Sequence, residues 1–526
     1  MKRAISFALS LSAALQWLMA ADRPDRVCAT CHPKETVRYL ATAMGRSLVS
    51  PDPLPSGKVT HAASGSVISI EERDGRMLHT LSEGGLTAQY AIAYQIGGGL
   101  MARTYMMQIA DTLLESPATW FNSYGWDLSP GYAQKPFIDF DRVMDEQCLF
   151  CHAGGARFAD RDGHRLKDAA RVLTSITCER CHGRSEAHVQ HPSSNNIVNP
   201  AKLKGAARDS ICEQCHLEGT TRILNPGKSW VDFHAGQPAE DTFSTYVVSG
   251  DSGKDVIAVS QTEELAQSKC ARGSAGKLWC GSCHNPHSSA VDRQREIRAV
   301  CTSCHVSLSA AAHPAGMATA ECTSCHMPRS STTDIPHAAL TDHRILRRPS
   351  ESANASSEPP KVIAWREPSA EVRDRDFALA EVLIGFSKGL DAIGQDGFRR
   401  LESMPAEKRR EDPSVLSDLE GKALQQGNTG EALRLGRRTV ELQPESAKAA
   451  MNFGIVLKRS GDLPEAERQL TRAIELDPSL RQAYMELASL YGSQGRNEQM
   501  GATIDRYLRW NPQDILFRLQ RRRLEQ

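Results

Sequence analysis

Apolar and polar residues alternate along several short runs between positions 58 and 127. The clearest runs are 67–70, 76–81, 89–96 and 103–109, and glycine pairs or Asp-Gly lie between them. Alternation with a period of two is typical of half-buried strands, and glycine-rich breaks are typical of the turns that join them. The pattern predicts a small antiparallel β region. An aromatic-rich stretch follows at 120–126, and we expect it to pack in the core rather than line a substrate pocket.

The last part of the chain has a different pattern, which repeats every 34 residues. This period, with small residues in the first helix of each unit and a proline at its end, resembles the tetratricopeptide repeat, a unit of two helices. It predicts repeats at about 413–446, 447–480 and 481–514, an irregular helical pair at 373–410 and a capping helix at 515–526. The residues that keep the step are Pro444, Pro478, Pro512, Gly427, Gly461 and Gly495.

The start of the chain has the pattern of an export signal. Positively charged residues at 2–3 precede a mostly apolar run at 4–18 and small residues at 19–21. We therefore predict a cleaved signal peptide over residues 1–20 and a periplasmic or otherwise exported protein. The alternative is an uncleaved membrane anchor, but the run is short and serine-rich for a span of about twenty residues. No other stretch reaches that length, so we expect no transmembrane segment after cleavage.

Fourteen of the fifteen cysteines lie in seven Cys-x-x-Cys-His pentapeptides. This motif attaches a c-type haem: the two thiols form thioethers with the haem vinyl groups, and the histidine ligates the iron. Disulfides need no adjacent histidine, and zinc fingers pair one such motif with distant ligands, so both alternatives are disfavoured. The sequence therefore predicts seven covalently attached haem c groups. The cofactor-binding cysteines are Cys28, Cys31, Cys148, Cys151, Cys178, Cys181, Cys212, Cys215, Cys280, Cys283, Cys301, Cys304, Cys322 and Cys325.

The histidines divide into seven proximal ligands and ten others. Ten candidates for seven second axial positions are close to what a fully bis-histidine protein needs. An isolated histidine is otherwise a surface or hydrogen-bonded residue. The predicted proximal ligands are His32, His152, His182, His216, His284, His305 and His326.

Three of the haem segments resemble one superfamily. Residues 178–188 are similar to the CxxCHGPGxxH element of the cytochrome c554, hydroxylamine oxidoreductase and pentahaem nitrite reductase superfamily. Here Arg184-Ser185 replaces Pro-Gly. Residues 280–287 resemble the CxxCHxPH element. Residues 322–345 resemble the last haem segment of cytochrome c554-like proteins that carry tetratricopeptide repeats.

The resemblance implies that some histidines reach across to a neighbouring haem as distal ligands. The residues that match in this way are His188, His287, His337 and His343. To these we add His61 and His313, which precede a β stretch and a haem segment respectively. The seventh distal ligand stays open among four histidines, which are His79, His164, His191 and His234.

The predicted fold is mainly α. It comprises a haem-packed cytochrome c domain with a small β region at 21–345, a linker at 346–372 and an α-solenoid at 373–526. The formal net charge is zero, so we expect no nucleic-acid partner. The remaining cysteine, Cys270, is expected to be a buried, unreactive thiol.

Electron transfer is the favoured function, with closely packed, mostly bis-histidine haems and a repeat array that docks a redox partner protein. One alternative is an oxidoreductase acting on a small nitrogen or sulfur compound at one five-coordinate haem. Another is a scaffold in which the repeats carry the function. Every proximal residue is histidine and no CxxCK motif occurs, which disfavours nitrite reduction of the superfamily type.

Overall fold

The computed structural model describes residues 25–168, 172, 174–217, 219–249, 259–288, 290–305, 313, 321–332, 334–347 and 359–525, with 290–295 as backbone only. The predicted signal peptide at 1–20 lies outside these ranges.

The first part of the chain is built around an antiparallel sheet of eight strands within the described stretch 25–168. Strands β2 to β8 pair in chain order, and β1 pairs with β5. Buried Ile68, Leu81 and Tyr105 belong to the core of this sheet. The strands are β1 (Leu48–Val49), β2 (Gly57–Thr60), β3 (Val67–Arg73), β4 (Arg76–Glu83), β5 (Leu86–Ile96), β6 (Ala102–Ile109), β7 (Thr112–Phe121) and β8 (Gly125–Leu128).

The sheet curls so that its two end strands meet. Trp126 on β8 donates a hydrogen bond from Nε1 to the carbonyl oxygen of Pro55, just before β2, at 2.8 Å. A Cβ added to Gly57 would lie 2.3 Å from Cδ1 of Trp126, so only glycine lets β2 approach the indole this closely. In the aromatic stretch 120–126, Phe121 is buried as predicted, whereas Tyr124 is exposed.

An antiparallel sheet is present where the alternating pattern predicts one, but it is larger than predicted, and a mainly α fold is not confirmed for the whole molecule. Strand β7 was missed because nearly all its residues are buried, and a strand buried on both faces does not alternate between apolar and polar positions. The molecule has a sheet-rich N-terminal part and a helical C-terminal part.

Short helices dominate the haem-motif region, and most of them carry or end in a Cys-x-x-Cys-His motif. Helices α1 and α2 precede the sheet. The helices are α1 (Asp25–Cys31), α2 (Pro33–Leu40), α3 (Glu146–His152), α4 (Glu179–His182), α5 (Glu186–Gln190), α6 (Gly205–His216), α7 (Gln261–Gln267), α8 (Lys269–Gly273), α9 (Cys280–Cys283), α10 (Ala290–Cys304) and α11 (Cys322–His326).

Two smaller sheets stabilise this region. Strands β9 (Thr221–Leu224), β10 (Phe243–Ser249) and β13 (Lys361–Ala364) form one antiparallel sheet, and β11 (Arg329–Ser331) pairs with β12 (Ala339–Thr341). Strand β13 lies in the segment predicted as a linker. Residues 361–364 are therefore ordered by pairing with β10 rather than free.

The C-terminal part is a succession of helices, most of them in pairs. Each of the three predicted repeats contains two helices. The irregular pair α12 and α13 precedes them, and α21 follows them. The helices are α12 (Arg373–Lys388), α13 (Asp391–Ser403), α14 (Ala406–Arg410), α15 (Pro413–Gln425), α16 (Thr429–Leu442), α17 (Ala447–Ser460), α18 (Leu463–Leu476), α19 (Arg481–Ser493), α20 (Asn497–Trp510) and α21 (Ile515–Leu524).

The helical array packs against the rest of the molecule along the loops that join its repeats. Ser446 donates to Asp162 at 2.7 Å, and Nδ1 of His164 lies 3.0 Å from Oδ2 of Asp477. Farther along, Arg481 forms a 2.6 Å ion pair with buried Asp139. These residues recur near the repeat boundaries, so one edge of the array contacts the haem-motif part and the large sheet.

Candidate haem centre

Each Cys-x-x-Cys-His motif adopts a helical turn that places its three ligating side chains on one side. The backbone N–H of His32 donates to the carbonyl oxygen of Cys28 at 2.7 Å, and His305 makes the same bond to Cys301 at 3.0 Å. Residues i, i+3 and i+4 of a helix lie on the same face. The two thiols and the imidazole of each motif therefore point toward one haem position. We number the motifs 1 to 7 in chain order.

All seven motifs face a single continuous cavity of about 3650 Å³, which every motif cysteine and proximal histidine lines. Pockets for one small ligand are typically about 300–1,000 Å³, so this space is several times larger. Its apolar walls suit porphyrin rings. The chemistry of the donor set and the size of the cavity both fit covalently bound haem c.

Four proximal histidines are paired with a second imidazole across this cavity. A metal held between two imidazoles would lie about 2 Å from each ligating nitrogen. Adding the distance from each nitrogen to the centroid of its ring gives a centroid separation close to those observed. An iron held between each pair would be bis-histidine ligated. The ring-centroid distances are 6.4 Å for His32 and His188, 6.1 Å for His182 and His287, 6.1 Å for His284 and His343, and 6.1 Å for His326 and His313.

Two of the predicted distal ligands, His61 and His337, lie outside the cavity lining. Buried His61 hydrogen-bonds through Nδ1 to Oγ of Ser64 at 2.7 Å, beside strand β2. His337 stacks on Tyr124 with ring centroids 3.9 Å apart, and its Nε2 lies 2.7 Å from the carboxylate of Asp127. Neither residue lines the cavity, because local hydrogen bonds and stacking hold both against the large sheet.

The four histidines left open for the seventh position also lie outside the cavity lining. His79 is fully buried in the large sheet and bonded to Ser116, and burial lowers its pKa to about 3. His164 contacts Asp477, and His234 accepts a hydrogen bond from Arg184 at 3.2 Å. His191 is exposed. Within the described part of the chain, none of them pairs with a proximal histidine.

Three proximal histidines have no second imidazole opposite them among the described residues: His152, His216 and His305. Burial lowers the pKa of His152 to about 4. Burial also lowers the pKa of His216, and nearby His343 contributes to this shift. Both imidazoles are therefore neutral near pH 7, which leaves a lone pair on each ring for an iron.

Cysteines from different motifs lie side by side. The side chains of four cysteine pairs lie in contact, namely Cys28 with Cys178, Cys151 with Cys215, Cys212 with Cys280 and Cys301 with Cys322. Motif 1 is therefore adjacent to motif 3, motif 2 to motif 4, motif 4 to motif 5, and motif 6 to motif 7. These contacts join the motifs into three groups within the one cavity, namely 1 with 3, 2 with 4 and 5, and 6 with 7.

The sequence analysis missed an ion pair on the cavity wall. Arg142 donates from Nη1 to Oε2 of Glu115 at 2.7 Å, and burial raises the pKa of Glu115 despite this contact. The two residues come from strand β7 and the loop before α3, so no local motif joins them. The leftover Cys270 also differs from expectation, because it is exposed and borders the cavity rather than being buried.

Comparisons with known proteins match three parts of the chain. The family model described as cytochrome c554 and c-prime matches residues 132–183, and the model of a doubled CXXCH motif matches residues 273–310. The tetratricopeptide repeat model matches residues 482–514. These matches agree with the motifs and the helix pairs, and they support a multihaem cytochrome with tetratricopeptide repeats.

The similar protein and structures described next each match no more than 30% of this chain. A TPR repeat-containing thioredoxin, TTL4, from Arabidopsis thaliana is 40% identical over 72 residues, which span 14% of this chain and 11% of that protein. The crystal structure of MamA is 18% identical over 26% of this chain and 74% of MamA, with a TM-score of 0.23. YrrB, described as a TPR protein with an unusual peptide-binding site, is 20% identical over 30% of this chain and 75% of YrrB, with a TM-score of 0.25.

A search for membrane-spanning helices gives a negative result for the part of the chain that is described. None of the helices there combines the length and the apolar character needed to cross a bilayer.

Proposed function

We propose that this chain is an exported, periplasmic c-type cytochrome that binds seven haems and transfers electrons through them. The observation that carries the proposal is the set of four imidazole pairs, 6.1–6.4 Å apart, in one cavity that all seven motifs line. A haem iron with two histidine ligands exchanges one electron at a time and has no free position for a substrate.

The second ligands link four sites into an interlocked series. His188 follows motif 3 but faces His32 of motif 1. His287 follows motif 5 and faces His182 of motif 3. His343 follows motif 7 and faces motif 5. Each of the segments of motifs 3, 5 and 7 would therefore bind one iron through its own motif. Each would also supply a second histidine ligand to motif 1, 3 or 5, respectively. This sharing of ligands fixes the separation of neighbouring irons, which electron transfer along the series 1–3–5–7 requires.

The last member of the series is closed from another segment. His313 lies between motifs 6 and 7 and faces His326 of motif 7. Motifs 2, 4 and 6 flank the series through the cysteine contacts described above. We infer that their haems exchange electrons with the series at these contacts.

A second candidate function is an oxidoreductase that acts on a small nitrogen or sulfur compound at one five-coordinate haem. The observation that favours it is that His152, His216 and His305 face no second imidazole among the described residues. An iron bound by one of these histidines alone would keep an open position for a substrate. The repeat array is the proposed docking module for a redox partner protein. The scaffold alternative leaves the seven haem motifs without a role.

The test is an EPR spectrum of the purified, oxidised protein, with haem quantified as the pyridine haemochrome and covalent attachment checked by mass spectrometry. We expect seven haems per chain and at least four low-spin bis-histidine signals. Fewer than four low-spin haems in a fully loaded protein would contradict the proposal. A high-spin signal that shifts on addition of nitrite, hydroxylamine or cyanide would support the oxidoreductase.

A further inference from the structure

Helix α2 directly follows His32 and presents two different faces. Glu35, Thr36 and Tyr39 line the haem cavity. The hydroxyl of Thr36 donates to the carbonyl oxygen of His32 at 2.8 Å, which ties the helix to motif 1. The opposite face carries three residues that do not line the cavity, namely Lys34, Val37 and Arg38.

This outer face combines an exposed apolar side chain with two free cations. Val37 is 71% exposed, more than any other large apolar residue among those described. Lys34 and Arg38 are exposed and form no ion pair within the described part of the chain. Spacings of three and four residues place all three side chains on one side of the helix. Two cations on one helix face attract an acidic partner and favour one orientation of it, and the exposed valine between them adds an apolar contact.

The position of α2 relates this surface to the interlocked series. Site 1 receives its second imidazole, His188, from the segment of motif 3. Among the described residues, the segment of motif 1 donates no histidine to any other site. Site 1 is therefore one end of the series 1–3–5–7, and the inner face of α2 lines the cavity beside it.

We propose that the face formed by Lys34, Val37 and Arg38 docks a one-electron carrier protein whose own redox centre is surrounded by acidic residues. This inference rests on the proposed electron-transfer function, and it concerns a carrier protein other than the partner proposed for the repeat array. Carboxylates of the partner pair with Lys34 and Arg38, and Val37 contacts the apolar surface between them. The one electron lost by the partner's centre would be accepted by the haem that motif 1 would hold, with no bond made or broken.

The test is the rate of reduction of the oxidised, fully loaded protein by reduced plant-type [2Fe–2S] ferredoxin, used as an acidic one-electron donor in stopped-flow experiments. The variant K34E/R38E reverses both charges and is expected to lower the second-order rate constant about tenfold at low salt, since steering by charge accelerates association by about this factor or more. The variant should also lose most of the salt dependence. The rate constant of the neutral variant K34Q/R38Q should lie between those of K34E/R38E and the native protein.

The matched control is R522E/R523E, which reverses two exposed arginines on helix α21. Its rate constant is expected to equal that of the native protein. Equal slowing of K34E/R38E and R522E/R523E would mean that only the net charge of the protein matters. Slowing of R522E/R523E alone would place docking on α21. Either result overturns the proposal. Dithionite reduces haems without docking. If dithionite failed to reduce the haems of the native protein and of every variant, that result would instead reject the electron-transfer function.

Discussion

His337 and His343 lie six residues apart, yet only His343 turns its ring toward a proximal histidine. The ring of His343 lies 6.1 Å from that of His284. His337 is held by Tyr124 on one side and by Asp127 on the other, and its backbone has a positive φ of 57°. A residue in this strained region is kept there by its contacts. The contacts of single residues therefore separate an iron ligand from a neighbour of the same type.

Replacing His343 by alanine is expected to convert one low-spin haem to high spin, because the iron at site 5 loses its second imidazole. The measurement is the EPR spectrum together with the absorption of the oxidised protein. The matched control is His337→Ala, in which every haem should keep the spin state that it has in the native protein. Conversion of a haem in the control instead would reverse the assignment of the two histidines.

The two classes of ligand differ in how far sequence reasoning can reach. A proximal histidine is recognisable because the whole motif lies within one helical turn, as in Cys178–His182. A distal histidine depends on which segment packs opposite it. His188 belongs to an element that adjoins motif 3 and could be recognised by resemblance, whereas His61 has no such element, and only His188 is carried to a proximal ring, by helix α5. The sequence does not show which proximal ring a distal histidine faces, because that depends on long-range packing.

At the scale of elements, the contact between the loop before α19 and the segment after α3 contains a titratable pair. Burial disfavours the charged imidazole of His164, but the hydrogen bond and charge of Asp477 outweigh this effect and raise its pKa. Burial likewise works against the carboxylate of Asp477, whose pKa is lowered by hydrogen bonds from His164 and Ser479. Asp477 is fully buried, so the pair is shielded from salt.

The pair should make the stability of this contact depend on pH. Because the pKa of His164 is raised in the folded protein, this residue contributes its full stabilisation below about pH 6.5, the ordinary pKa of histidine. The contribution is lost as the pH rises through the pKa of the folded state. The lowered pKa of Asp477 contributes above about 3.9 and is lost only in stronger acid. The contact is therefore strongest between these two values. We expect the unfolding temperature to fall between pH 6 and pH 8 more steeply in the native protein than in His164→Gln.

The control for this effect is His191→Gln, because His191 is exposed. Its unfolding temperature should follow the same pH profile as the native protein, measured by circular dichroism in matched buffers. If His164→Gln keeps the full decrease above pH 6, other groups cause it and the pair does not.

Elements were predictable where their pattern is local and were missed where it is not. The 34-residue period locates the helix pairs, since α17 and α19 begin at Ala447 and Arg481. Strand β7 was missed because burial on both faces removes the alternation that identifies a strand. Strand β13 was assigned to a linker because its four residues gain their structure from pairing with β10, far away in the sequence.

At the scale of the whole molecule, the array contacts the remainder at both ends and in the middle. At its start, Ser244 on β10 donates to buried Asp376 on α12 at 2.8 Å. At its end, Tyr90 on β5 donates to Asn511 at 2.8 Å. The contact of His164 with Asp477 lies between them. An array held at three places is a structural part of the cytochrome, which leaves only its remaining surface for a partner.

This arrangement predicts that the array and the haem-binding part unfold together. Thermal unfolding followed by far-ultraviolet circular dichroism, which reports the helices, and by the haem Soret band should give one shared midpoint. Arg481→Met is expected to separate the two midpoints, because it leaves the carboxylates of Asp139 and Asp514 buried without their cation. Removing one partner of a buried ion pair costs about 3–5 kcal/mol.

The matched control is Arg496→Met, which breaks a partly exposed ion pair with Glu467 inside the array. Such a pair contributes about 0–1 kcal/mol, so both midpoints should stay coincident and close to those of the native protein. Two separate transitions in the native protein would contradict the prediction and would make the array an independent module. A shared transition that only Arg481→Met splits would show that the haem-binding part relies on the array for its stability, and that the edge of the array in contact with that part is not available to a partner.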